Sequence, residues 1–388
     1  MATIILFILI LSLLVFVHEF GHYITAKKSG MKVYEFALGF PPRAFGAYKN
    51  PKTNKWVWVI GKGKSNLKKS VSGEEQQDEY PNTLYSVNWL PLGGFVRIKG
   101  ENGESSNDKD SFGHQAAWKK IIVLSAGVIM NFITAAVLLG FGFMIGLPTD
   151  ITALDDPSAI IVEEPSVIVQ QVQKDSPADV AGLQMGDHII QINTEKIEST
   201  AQMVAYVQQH PEELRVEYLR GEESSFLNII PEVIEEGEPA RIGVLLADAA
   251  VVRYPWYIAM YKGFVAASIA TINITLSFFV LIKGLIFGQG LAFDIAGPVG
   301  IAAVIGQSAE LGINYLINVT AMISLSLAVI NILPIPALDG GRILFILIGK
   351  IIRRPVSMKY EQVAHTIGFG LLMILIVVVT VRDVLGLI

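Results

Sequence analysis

Cysteine is absent from this 388-residue chain, which excludes disulfides, thiolate metal sites and cysteine nucleophiles. Charge is scarce: Asp, Glu, Lys and Arg together make up 17%, where an ordinary globular protein carries about 25%. A global basic footprint is missing too. The formal net charge is −5 and the pI is near 5.8, so the composition offers nucleic acid nothing to hold. No Lys or Arg precedes the first apolar run, which removes the basic leading region of a secretory signal peptide. Against these absences stand 52% hydrophobic residues and a mean hydropathy of +0.49. Apolar runs of this length belong in lipid.

The first run, residues 1–27, has no charge from Ala2 to Val17, and then His18, Glu19 and His22 before Lys27. It reads as a retained transmembrane helix of roughly 25 residues, enough to cross about 30 Å of hydrocarbon. Ile121–Leu147 and Leu311–Leu338 carry no charge, and Gln362–Val381 carries only His365. These predict spans within 118–148, 311–341 and 362–384. Phe264–Ile282 is uncharged but rich in Ala, Thr, Ser and Asn, between Lys262 and Lys283.

Charge between the runs segregates by sign. Lys27 to Lys120 holds 16 basic residues, including Lys62, Lys64, Lys68 and Lys69, whereas Asp150 to Arg253 holds 20 acidic against six basic. A short loop after the third span carries Lys350, Arg353, Arg354 and Lys359. By the positive-inside rule the first and last of these are cytoplasmic and the acidic block is outside. An odd number of crossings then separates the acidic block from Lys350, so 255–290 is expected on or partly within the outer face, its core 256–287 an interfacial helix. The expected fold is a polytopic helical membrane protein of about four spans.

Two polar regions complete it. In the cytoplasmic loop 28–117, Val33–Phe40, Lys55–Ile60, Leu84–Asn88 and Gly94–Ile98 read as strands, and Trp56, Trp58 and Trp89 among lysines suit a sheet at the membrane interface. In 159–247, Val167–Val172, His188–Ile192, Leu214–Tyr218 and Phe226–Ile230 read as strands, with helices from Ser176 to Gly182 and over Ala201–Gln209. The run Ser176-Pro177-Ala178 … Ala181-Gly182-Leu183 … Gly186-Asp187 … Ile192-Asn193 resembles the circularly permuted PDZ domains of bacterial envelope proteases. That resemblance implies capture of an extended peptide or a C-terminus at a sheet edge, beside Arg241-Ile242-Gly243-Val244.

His18-Glu19-Phe20-Gly21-His22 is HExxH. On a helix the two histidines share a face and can reach one ion, and the glutamate lies near enough to take a proton from water. Ionisable groups are costly inside lipid, and a bound metal compensates them. A helix that ends early, wetting the group at the interface, is the competing reading. For a third ligand, His188 and His210 fall in the outer domain, His114 in a polar loop and His365 at the start of the last span. Asp339 is the better candidate: Pro334 and Pro336 open the backbone just before it, and the first and third spans run the same way, so their cytoplasmic ends meet.

HEFGH in a first span, a central PDZ domain and Asn331-x-x-Pro334-x-Pro336-x-Leu338-Asp339-Gly340-Gly341 resemble the site-2 protease family of intramembrane zinc metalloproteases. Pro91-Leu92-Gly93-Gly94-Phe95-Val96-Arg97, Ala126-Gly127 with Asn131-Phe132, and Gly297-Pro298-Val299-Gly300-Ile301 match further family segments in the family's order. Val128 and Ser326 depart from it, standing where Pro and Asn are usual. The resemblance implies one Zn2+ held by His18, His22 and Asp339, with Glu19 as general base and then general acid. It implies a substrate strand along Gly93, Gly94 and Phe95, and Asn331 holding the unwound backbone. Asn131 is a polar group in lipid that either braces the site or makes a helix–helix bond. The implied partner is a single-span membrane protein such as an anti-sigma factor, already shortened outside by another protease, in a bacterial cytoplasmic membrane. A catalytically silent PDZ scaffold and a metal transporter are the rival classes.

Overall fold

The computed structural model describes residues 2–61, 80–101, 103, 108–150, 156–221, 223–233, 239–287, 296–354 and 356–387. Lys62, Lys64, Lys68 and Lys69, and residues 288–290 of the expected interfacial segment, lie outside them. The chain forms two compact units: Met1–Ala135 with Ala267–Ala303 and Thr320–Ile388, and Ala136–Ala266 with Val304–Val319.

The first apolar run is a single helix, α1 (Ala2–Lys28). The polar chain after it makes β1 (Val33–Lys49), β2 (Trp56–Ile60) and β3 (Leu84–Ile98), in the sheet order β2-β1-β3. Four strands were expected, and the structure merges two of them: Leu84–Asn88 and Gly94–Ile98 are halves of β3, which turns through Pro91 and Gly93. Phe45, Gly46 and Ala47 face Val87, Ser86 and Tyr85, while Val33 to Leu38 face Ile98 to Gly94. The second half of β3 therefore lies outermost, beside α1. Trp56, Trp58 and Trp89 are all exposed, as aromatic rings at a lipid–water boundary would be.

The long helix α2 (Ala117–Ile145) runs through both units. The second unit continues with β4 (Leu147–Asp150), β5 (Ile160–Val172), α3 (Pro177–Ala181), β6 (His188–Ile192), β7 (Glu195–Lys196), α4 (Thr200–Gln209), β8 (Leu214–Arg220), β9 (Glu223–Ile229) and β10 (Val244–Arg253). Its sheet order is β4-β10-β5-β6-β8-β9, with β7 beside β6. Local chemistry sets the two short helices. Ser176 caps α3 by accepting from the Asp179 N–H, Pro177 opens it, and Gly182 closes it with φ 91°, the left-handed ending that glycine tolerates best. Ser199 caps α4 in the same way, through the Gln202 N–H. Val167, Val169, Ile189, Ile192, Met203, Leu214 and Val216 fill the core between helices and sheet.

The remaining elements among the described residues are helices: α5 (Trp256–Ile286), α6 (Pro298–Leu311), α7 (Ile313–Ile332), α8 (Asp339–Ile351) and α9 (Met358–Leu387). The start of α5 packs tightly on α2, where a β-carbon at Gly263 would lie 2.3 Å from the Gly140 nitrogen. Among the described residues, α1, α2, α5, α7 and α9 are long and apolar enough to cross a membrane. The predicted 311–341 span is not one helix. It holds the end of α6, then α7, a break at 333–338, and the start of α8. Asp339 accordingly opens a helix rather than ending one.

Candidate metal centre

The break before Asp339 follows from its residues. Pro334 and Pro336 donate no backbone hydrogen bond, and each disfavours helical backbone in the residue before it. The linker instead closes as tight turns, with Ile335 N–H donating to the Leu333 carbonyl at 2.7 Å and Leu338 N–H to the Ile335 carbonyl at 3.2 Å. Helix α8 starts so close to the end of α7 that a β-carbon at Gly340 would meet the Ile332 and Leu333 carbonyls at 2.2 Å. Gly341 is pressed likewise on the Ile335 carbonyl, at 2.3 Å. The Gly-Gly pair after Asp339 is thus a packing requirement. The Arg342 guanidinium then pairs with Glu101, tying the first turn of α8 to the turn beyond β3. That turn is itself fixed by Lys99, which bonds Asp108 at 2.7 Å and Asp110 at 2.8 Å. The same ion pairs push the Lys99 ammonium up and hold the Asp110 carboxyl below the usual range.

These constraints bring Asp339 to α1 beside His18 and His22. Asp339 Oδ2 lies 3.1 Å from His18 Nε2 and 3.3 Å from His22 Nε2, and the two Nε2 atoms are 3.1 Å apart. His18 and His22 are 7% and 5% exposed. Among the described residues these three form the one group of His, Asp or Glu whose donor atoms converge in this way.

The donor set fits zinc. Zinc–nitrogen and zinc–oxygen bonds of about 2.0–2.1 Å in a tetrahedron place neighbouring ligand atoms about 3.3 Å apart, which is the spacing seen. Both rings are held with Nε2 toward the centre. His22 Nδ1–H donates to the Val123 carbonyl at 2.8 Å. His18 Nδ1 lies 3.5 Å from the Asn131 amide, whose Oδ1 is buried without a partner. Turning that amide by half a revolution puts Oδ1 where it can accept from His18 Nδ1–H. Two imidazole lone pairs and a carboxylate oxygen then converge, a donor set that suits a bound cation. The space is protected from the far side. A β-carbon at Gly127 would lie 2.5 Å from His22 Nε2 and 2.7 Å from His18 Nε2, so no side chain fits there. Ala126, next to it, meets α1 at Gly21, where a β-carbon would lie 2.5 Å from the Ala126 carbonyl.

The other sequence candidates fall into place around this centre. Glu19 Oε2 accepts from the Val96 N–H at 3.1 Å, so the outer half of β3 reaches the HExxH glutamate. Gly93 and Gly94 are buried and Phe95 is half-buried; Gly93 N–H donates to Ser12 Oγ of α1 at 3.3 Å. Asn331 is half-buried in the last turn of α7. Ser324, two residues before the departure at Ser326, donates to the Asn131 carbonyl at 2.8 Å, joining α7 to α2. Val128 sits in an uninterrupted stretch of α2. The Gly297-Pro298 element opens α6 and is capped from α9, where the Asp383 carboxylate accepts from the Gly297 and Gly300 N–H groups at 3.3 and 2.8 Å. The sequence carried no signal for that cap, since Asp383 lies beyond every motif.

The family model for peptidase family M50 matches residues 6–60 and 76–375. The chain belongs to this family, the site-2 proteases. It is 31% identical over 382 residues to a protein of Clostridium perfringens, covering 97% of each. It is 30% identical to the zinc metalloprotease RasP of Bacillus licheniformis, with 99% of each chain covered. Identity to the regulator of sigma-W protease RasP of Bacillus subtilis is 29%, with 98% of each covered. Among solved structures, the PDZ domain of an SdrC-like protein from Listeria innocua matches 21% of this chain and 92% of its own at 26% identity, with a TM-score of 0.19. This M50 protein is a zinc metalloprotease of the intramembrane kind.

Proposed function

We propose that this protease cuts a peptide bond within the transmembrane segment of single-span membrane proteins, using His18, His22 and Asp339 to hold one Zn2+ and Glu19 to move the proton. The observation that carries this reading is the convergence of two imidazole nitrogens and one carboxylate oxygen at 3.1–3.3 Å, in a pocket closed by Gly127. When bound, zinc supplies Lewis acidity to a water molecule and to the scissile carbonyl. Glu19 takes the proton from the attacking water and delivers it to the amide nitrogen as the C–N bond breaks. Asn131 and the Val123 carbonyl keep both imidazoles in the tautomer that leaves Nε2 free to bind.

A helical substrate hides its carbonyls in internal hydrogen bonds and must be unwound before attack. We take the edge at Gly93, Gly94 and Phe95 as the place where the unwound segment joins as a strand, exchanging its helix bonds for sheet bonds. Asn331 steadies the same segment from α7. The Val96 N–H belongs to that edge and also holds the Glu19 carboxylate, so strand addition and release of the base would be one event.

The name of the Bacillus subtilis relative ties it to sigma-W regulation. By that analogy the substrate is an anti-sigma factor already shortened outside by another protease, and the product a released cytoplasmic regulator. We read residues 159–247 as an extracytoplasmic PDZ domain that takes an extended peptide or C-terminus. We also read the chain as crossing a bacterial cytoplasmic membrane four times, with α5 held at the outer face. Parity supports that count, because the end of α1 and the linker that follows α7 must bring His18, His22 and Asp339 to one depth. The test is cleavage in membranes of a tagged single-span reporter with a short outer tail. Wild type should cut it, and both Glu19→Gln and a zinc chelator should stop cleavage. Equal cleavage by wild type and Glu19→Gln would sink the reading.

A further inference from the structure

The linker that delivers Asp339 is gripped by the last helix. His365 Nδ1 of α9 accepts from the Ala337 N–H at 2.7 Å, so this amide is met by a side chain 28 residues away and not by the linker's own turns. Ala337 has φ 85°, in the left-handed region that an alanine adopts only when its surroundings impose it. One turn along α9, Gly368 presses on the preceding residue: a β-carbon there would lie 2.3 Å from the Pro336 carbonyl oxygen. Positions 365 and 368 share a helix face, so α9 meets Pro336 and Ala337 with an acceptor and a bare backbone side by side. The His365 ring also rests against Phe345 of α8, with centroids 5.8 Å apart. It therefore touches both the linker before Asp339 and the helix that Asp339 opens.

We propose that His365 is a positioning residue for the third metal ligand. By accepting from the Ala337 N–H it holds the linker in the strained turn that aims Asp339 at His18 and His22. To accept at Nδ1 the ring must be neutral with its proton on Nε2, and that atom faces Glu361 Oε1 at 3.8 Å. His365 binds no metal in this assignment, since its accepting nitrogen is already used. The inference rests on His18, His22 and Asp339 being the zinc ligands.

The test measures zinc affinity of the full-length protein in detergent or nanodiscs, by competition against chelators of graded strength, alongside the visible spectrum of the Co2+-substituted form. His365→Asn keeps an acceptor near the Nδ1 position; His365→Gln moves it toward Nε2; Thr366→Ala, on an exposed neighbour, is the control. We expect His365→Ala and His365→Gln to lose about 10–100-fold in zinc affinity, the range typical of outer-shell partners, and to shift the Co2+ bands. His365→Asn and Thr366→Ala should stay near wild type. If His365→Ala does not fold, the Asn–Gln contrast decides alone. Equal zinc affinity and identical Co2+ spectra for Asn and Gln would overturn the inference and leave His365 a packing residue. Failure of wild type itself to bind zinc at this site would instead overturn the reading of the ligands.

Discussion

Gly127 of α2 lies against His22 so closely that a β-carbon added to it would fall 2.5 Å from Nε2, the atom turned toward the metal position. The Ala126-Gly127 pair of α2 therefore shapes the candidate metal centre, although neither side chain has a group that binds anything. In a helix, glycine costs roughly 1 kcal/mol relative to alanine, and here that cost keeps open the space in front of two histidines.

Substituting Gly127→Ala separates the two effects. Helix α2 should gain in propensity while the added methyl displaces both rings. The expected result is unchanged or slightly higher helical content with zinc binding weakened by more than about tenfold, as for lost ligand orientation. Metal analysis and circular dichroism on the same sample check it. Full zinc occupancy at wild-type affinity would show that the rings are not held where the geometry puts them.

Asn131, 1% exposed, allows a sharper test of ring orientation. If its oxygen accepts from His18 Nδ1–H, Asn131→Asp keeps the acceptor and should retain zinc. Asn131→Ala should lose about 10–100-fold in affinity. If instead the amide nitrogen donates to His18, the aspartate would repel the ring nitrogen and fail as badly as alanine. Zinc competition across the three proteins distinguishes the two.

What was legible in the sequence was what is local or bound to a rigid motif. HExxH is read from helical spacing alone, because His18 and His22 are neighbours on one helix face. Ser176, Pro177 and Gly182 announce both ends of α3 by capping chemistry. Asp339 was reachable because two prolines mark a break and topology brings the ends of α1 and α7 together. Other features depend on contacts that no local pattern encodes. Strand β10, whose Ala247-Asp248-Ala249-Ala250 stretch lacks strand alternation, forms only because β4 and β5 flank it. The division of the 311–341 run into separate helices depends on Gly340 and Gly341 fitting under the end of α7. The grip of His365 on Ala337, and of Asp383 on α6, needs the packed face of α9.

In the second unit, Asp187 is fully buried and accepts from Arg220 Nε and a terminal nitrogen of the guanidinium, both at 2.7 Å, and from the Gln184 N–H at 2.8 Å. Removing Arg220 strands a buried carboxylate, which costs on the order of 3–5 kcal/mol; partial exposure of the guanidinium places Arg220→Ala near the lower figure. Proteolytic cutting within 160–253 of the full chain should become much faster while zinc content stays unchanged. Unaltered resistance would mean that Asp187 is satisfied without its partner.

The absence of cysteine makes the topology directly testable, because any single cysteine introduced is the only one present. Helix α5 has 31 residues, about 46 Å at 1.5 Å per residue, so length alone allows it to cross. Parity argues against a fifth crossing, since the chain would have to return before Ile313, and α6 with 14 residues spans only about 21 Å of the roughly 30 Å required. Asp383, near the end of α9, also holds the start of α6, at the end of that helix far from the Ala337 contact. Single variants Lys109→Cys, Ser225→Cys and Phe287→Cys, treated with a membrane-impermeant maleimide on intact cells, read out the result. Ser225 and Phe287 should label from outside, and Lys109 only after permeabilisation. Labelling of Phe287 solely after permeabilisation would place the end of α5 in the cytoplasm and replace four crossings with a count that includes a return through residues 288–312.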